Sequence, residues 1–97
     1  MIIVHEIFVC KPGFASKLAK TFKEMMKFSP EMTHVMTDMI GDYNQVIMVS
    51  QFEDLAAYAK AWESYKNPSP EMKEAMSKME DHTQMYLTGR REVYQVW

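Results

Sequence analysis

The chain is 97 residues long, 47% apolar and 25% charged, with a formal charge of −2. That length holds one core, and the scattered, slightly acidic charge offers no basic surface to nucleic acid or an anionic membrane. Cys10 is the only cysteine, which excludes an intrachain disulfide and fits a reducing cytoplasm.

The first element is strand-like, from Ile2 to Val9. Ile2, Val4, Glu6 and Phe8 fall on one face, and Ile3, His5, Ile7 and Val9 on the other. His5 and Glu6 interrupt its apolar run and no basic residue precedes it, so it reads as a strand and not as a signal peptide. No run in the chain approaches the roughly 20 apolar residues of a membrane span. Lys11-Pro12-Gly13 then turns the chain into a helix over Phe14–Phe28, with Leu18, Phe22, Met25 and Met26 at helical spacing. Ser29-Pro30 ends it, because the residue before a proline is pushed out of the helical region.

A second strand spans Thr33–Ile40 and a third Gln45–Phe52, joined by Gly41-Asp42-Tyr43-Asn44. Asp54 is a suitable N-cap for a long helical stretch from Leu55 to Leu87, whose first part carries Leu55, Tyr58, Ala59, Trp62 and Tyr65 as a stripe. Asn67-Pro68-Ser69-Pro70 breaks the stretch, and Ser69 restarts it as N-cap with Pro70 at the first helical position. Met72, Ala75, Met76, Met79 and Tyr86 form the apolar side of the second part. Gly89 is the expected helix C-cap, before a final strand over Arg90–Trp97.

The order β-α-β-β-α-β defines one ferredoxin-like α+β domain over residues 1–97, with a four-stranded antiparallel sheet. Two helical regions cover one sheet face, yet both faces of each strand carry apolar residues. The expected cover for the second face is another copy of the chain, in a homodimer burying on the order of 1,600 Å² or more.

Several segments carry a resemblance. They are Phe8-Val9-Cys10-Lys11-Pro12-Gly13 at the end of the first strand, Leu18 and Phe22 in the first helix, and Gln51-Phe52-Glu53-Asp54-Leu55-Ala56-Ala57-Tyr58 followed by Trp62. With these the chain resembles the dimeric α+β barrel superfamily, which includes the NIPSNAP-type, antibiotic-biosynthesis-monooxygenase-like and stress-responsive barrel families. The resemblance implies a pocket between helices and sheet in each subunit. It implies no single reaction, since the superfamily contains oxygenases, haem-degrading enzymes, isomerases and decarboxylases.

Glu6 is an acid in an apolar strand face: a proton acceptor if it lines a pocket, or a structural ion pair with Arg90 or Arg91. Trp62, with Tyr58 and Tyr65, stacks on a flat ligand in one reading and packs the helix on the sheet in the other. Phe22 and Met76 would extend the apolar ligand wall. Eleven methionines suit either a soft core or an adaptable ligand surface. Tyr94 and His34 are candidates for orienting a ligand beside Glu6.

The three histidines lack metal-type spacing, so no metal or organic cofactor is expected. Haem-degrading relatives also use a tryptophan on the second helix, followed by a haem-ligating histidine. Here that region reads Pro70-Glu71-Met72, which leaves haem binding through Met72 or His82 as the weaker alternative. The functional expectation is a small cytoplasmic homodimer binding an apolar or aromatic molecule, as a cofactor-independent monooxygenase or isomerase. The alternative is a non-catalytic module for ligand carriage or protein contact.

Overall fold

The computed structural model describes residues 1–77 and 82–97. Strands β1 (Ile2–Cys10), β2 (Met32–Thr37), β3 (Gln45–Phe52) and β4 (Tyr86–Gln95) form one antiparallel sheet in the order β2-β3-β1-β4. Helix α1 (Ala15–Met25) follows β1, and α2 (Leu55–Lys66) and α3 (Pro70–Ser77) follow β3. This is the ferredoxin-like arrangement that the alternating periodicities predict.

The even-numbered residues of β1 face the helices. Cys10, Leu18, Phe22 and Val46 make the buried centre, with Phe8, Val35, Met48 and Tyr86 packed around it. Leu18 and Phe22, both nearly inaccessible, sit one helical turn apart, so one stripe of α1 is pressed into the sheet. Burying each contributes on the order of 2–3 kcal/mol. By contrast, no residue of α2 is buried. That helix stands off the sheet, and the space beneath it is the feature on which function turns.

Capping chemistry places the helix starts. Asp54 Oδ1 accepts a 2.8 Å bond from the Ala57 amide, and Ser69 Oγ accepts one of 3.2 Å from the Met72 amide, as side chains at N-cap positions do. Helix α1 ends in a 3₁₀ turn over Met26–Phe28.

Three boundaries depart furthest from expectation. Strand β2 stops at Thr37, not Ile40, because Asp38 turns inward and its Oδ1 accepts the Gln45 amide at 2.9 Å. Met39 and Ile40 are left fully exposed. The second helical region does not run to Leu87: after α3 comes a 3₁₀ turn over His82–Gln84, and β4 begins at Tyr86. Tyr86 and Leu87 look like part of a helix stripe, but a bulge at Val9/Cys10 brings Tyr86 opposite Cys10 and edge-on to Phe8 at 4.9 Å.

Gly89 is therefore a strand residue opposite Phe8 and not a helix cap. A β-carbon there would stand 3.1 Å from the Ile7 carbonyl oxygen. Met79 lies outside the described residues, as do the side chains of Ala75 and His82.

The molecule measures 37 × 35 × 19 Å, a slab about one sheet and one helical layer thick. The face of the sheet away from the helices has an apolar centre of Ile3, Ile7, Ile47 and Val49, of which Ile7 and Val49 are already buried within the chain and Ile3 and Ile47 are part-exposed. Along β4 it has a polar border of Arg90, Glu92 and Tyr94. None of the described helices is long and apolar enough to cross a membrane.

Candidate functional site

Between the sheet and helices α1, α2 and α3 lies a half-open pocket of about 320 Å³. Its floor comes from residues of all four strands: Val4, Glu6 and Phe8 of β1, Met32 of β2, Met48, Ser50 and Phe52 of β3, and Arg91 of β4. Phe22 and Met25 close one side, Met76 another, and Tyr58, Trp62 and Tyr65 form the roof. Roof residues four and three apart point the same way on a helix. They make a file of edge-to-face contacts, Tyr58 to Trp62 at 6.4 Å and Trp62 to Tyr65 at 6.2 Å between ring centres. The volume is at the lower end of the roughly 300–1,000 Å³ of small-molecule sites. It suits a molecule of one or two rings, not a tetrapyrrole.

Polar groups converge at two places. At the first, antiparallel register sets Glu6 opposite Arg91, and Arg91 Nε donates to Glu6 Oε1 at 2.6 Å. The Tyr58 hydroxyl donates to the same oxygen at 3.3 Å, and the Arg91 guanidinium lies 4.9 Å from the centre of the Trp62 ring, within cation–π range. Glu6 thus lines the pocket and is ion-paired as well, so the two readings of this residue are not exclusive. Burial pushes the Tyr58 hydroxyl up from its ordinary range, and the hydrogen bond to Glu6 raises Arg91 further. Both groups are therefore held in their protonated forms.

The second polar place joins the end of α2 to the loop after α1. Tyr65 donates to Glu31 Oε1, and the Ser29 hydroxyl lies 3.2 Å from the Tyr65 oxygen. Ser29 is buried. Burial first, and the Glu31 bond second, push Tyr65 up to about 12. Ser29 and Glu31 are residues that sequence reasoning does not assign to a site, and it gives Tyr65 only a stacking role. Ser29 reads as the end of a helix. The signal that could have found them is the pairing of a hydroxyl before Pro30 with an acid after it, on the loop that α2 must cross.

Glu6, Tyr58, Trp62, Phe22 and Met76 all meet at the pocket. His34 and Tyr94 do not. Both lie on the opposite sheet face, because their positions in the ladder pair them with Val49 and Ile3, which point away from the helices. There Tyr94 donates to Glu92 at 2.7 Å and packs edge-on to His5 at 5.4 Å, while exposed His34 contacts Thr33. Neither can orient a ligand beside Glu6 within one subunit. No described histidine side chain lines the pocket, and no group of three metal-binding side chains occurs among the described residues. Buried Met72 packs away from the pocket lining.

Comparison with known proteins bears on this geometry. The NIPSNAP family model matches residues 6–94. The chain belongs to the NIPSNAP family. Among solved structures, this NIPSNAP chain is similar to a NIPSNAP family protein from Agrobacterium tumefaciens, with a TM-score of 0.77 at 12% identity, over 99% of this chain and 85% of that one. It is also similar to an uncharacterized NIPSNAP domain protein from Burkholderia xenovorans, with a TM-score of 0.75 at 11% identity, over 100% and 95% of the two chains. A proposed antibiotic biosynthesis monooxygenase from Deinococcus radiodurans shares the fold, with a TM-score of 0.62 at 11% identity, over 100% and 93%. No curated protein matches the NIPSNAP chain. The family assignment and the fold agree with the resemblance drawn from the sequence.

Proposed function

We propose that this protein is a cytoplasmic homodimer that binds an apolar or aromatic small molecule in the pocket beneath α2. One observation carries the reading: a pocket walled by aromatic rings and methionines, into which only a few polar groups project. Such walls with sparse, placed polar groups are the usual make-up of a small-molecule site. The accompanying chemistry proposed is monooxygenation, which the name of one protein of similar fold carries, or isomerisation, in either case without a tightly bound organic cofactor. Glu6 would be the proton acceptor.

The dimer reading rests on the apolar centre of the uncovered sheet face and on the 19 Å thickness. Two such faces packed together would put a second layer where each subunit has none. The single buried cysteine suits a reducing compartment. No nucleic-acid or membrane partner is proposed.

Native mass spectrometry of protein as purified from cells tests the first part. The expected result is twice the 11.4 kDa chain mass with a discrete small-molecule adduct, and a bare monomer would overturn it. A second reading, ligand carriage without chemistry, is favoured by the occupation of Glu6 Oε1 by two donors, Arg91 and Tyr58. Glu6→Gln separates the two: turnover of the recovered ligand should fall at least about 100-fold if Glu6 is the base. Under carriage only affinity would change.

A further inference from the structure

The pocket's two polar places specify more than an apolar tenant. Arg91 spends only Nε on Glu6, and its two terminal nitrogens bond to nothing among the described residues. The side chain is half-exposed at the pocket wall, so those nitrogens can be reached. Glu6 on one side and the Trp62 ring on the other fix the guanidinium plane, which leaves a pre-set pair of donors. A planar fork of that kind matches a carboxylate better than any neutral group.

The far place has the opposite requirement. Tyr65 commits its one proton to Glu31, so the contact between Ser29 and Tyr65 must be donated by Ser29. The Ser29 oxygen keeps its lone pairs, and at that wall it is an acceptor waiting for a donor. Tyr58 and Tyr65, which mark the two places, are seven residues apart on α2, roughly 10 Å along the helix axis.

We infer that the pocket selects a hydroxy-aromatic monocarboxylate, its carboxylate on the free edge of Arg91 and its hydroxyl donating to Ser29. The ring lies under Trp62 between them. This inference rests on the ligand-binding reading above and narrows it to a chemical class.

Isothermal titration with three probes tests it: 4-hydroxycinnamate, its methyl ester and unsubstituted cinnamate. A hydrogen-bonded charge in such a site is worth about tenfold or more in affinity. The acid should therefore bind at least about tenfold more tightly than the ester, and 4-hydroxycinnamate more tightly than cinnamate. Because Arg91→Gln alone would strand Glu6, the control is Glu6→Gln with Arg91→Gln, an uncharged pair of similar shape. It should bind acid and ester alike and keep its thermal midpoint within a few degrees. Equal binding of acid and ester by the unmodified protein overturns the inference and leaves the apolar-pocket reading standing. Absence of binding by all three probes overturns both.

Discussion

At the scale of single residues, Tyr65 ties the roof of the pocket to its rim. Its hydroxyl is held neutral by burial and by the bond to Glu31, up to about 12, against roughly 10 in an unfolded chain. The unfolded state then releases its proton first as pH rises. The stabilisation is complete below about pH 10 and is lost between about pH 10 and 12. Urea unfolding across that window should show stability falling with pH in the native protein, and Tyr65→Phe should remove that part of the slope. The same substitution leaves buried Ser29 without an acceptor, which should cost about 1–3 kcal/mol at neutral pH. Cys10 makes a simpler case. It is 2% exposed and its thiol is pushed up by burial, so it should react with a thiol reagent only at the rate of unfolding.

At the scale of elements, β4 shows how local pattern and tertiary context divide the work. Tyr86-Leu87 continues an apolar helical spacing, and nothing in the local residues says that the chain has already entered the sheet. What decides it is remote: Cys10 and Phe8 supply the partner strand and the ring against which Tyr86 packs. Gly89 then lies where a methyl group would press on the Ile7 carbonyl. That oxygen belongs to a central strand bonded on both sides and cannot give way. Gly89→Ala should destabilise by about 1 kcal/mol, seen as a lowered midpoint in thermal unfolding.

The other elements are legible because their causes are local. Asp54 and Ser69 cap helices whose starts they announce, and the stripe Leu18–Phe22 is the core stripe. The candidate site was half legible for the same reason. Glu6, Tyr58, Trp62, Phe22 and Met76 follow from strand and helix periodicity. The exclusion of His34 and Tyr94 needs the register, which fixes which parity of β2 and β4 shares a face with Glu6. Ser29 and Glu31 stay hidden because their role depends on a loop crossing, not on any period.

At the scale of the whole molecule, the proposed dimer turns on the sheet's uncovered face. Its apolar centre sits on the two middle strands, and its charged border on β4, where Arg90 pairs with Glu92 at 3.2 Å. An interface built there would be dry at the centre and wet at one margin, the usual anatomy of a stable contact. Ile47→Lys places a charge at that centre without touching the pocket, which lies across the sheet. Sedimentation should show a shift from dimer to monomer, with the circular dichroism of the fold retained. An unchanged dimer would place the interface elsewhere.

The roof helix, with no residue buried and yet bonded to the body through Tyr58 at one end and Tyr65 at the other, behaves like a bridge on two piers. Such a span cannot swing aside as a door does. It lifts only when a pier gives way. On the proposed ligand-binding reading, a bound molecule would pass beneath the span beside half-exposed Arg91, and its dwell time would be set there. Raising the ionic strength, which loosens a half-exposed charge pair, should shorten the stay of a bound molecule while leaving amide exchange in α2 unaltered.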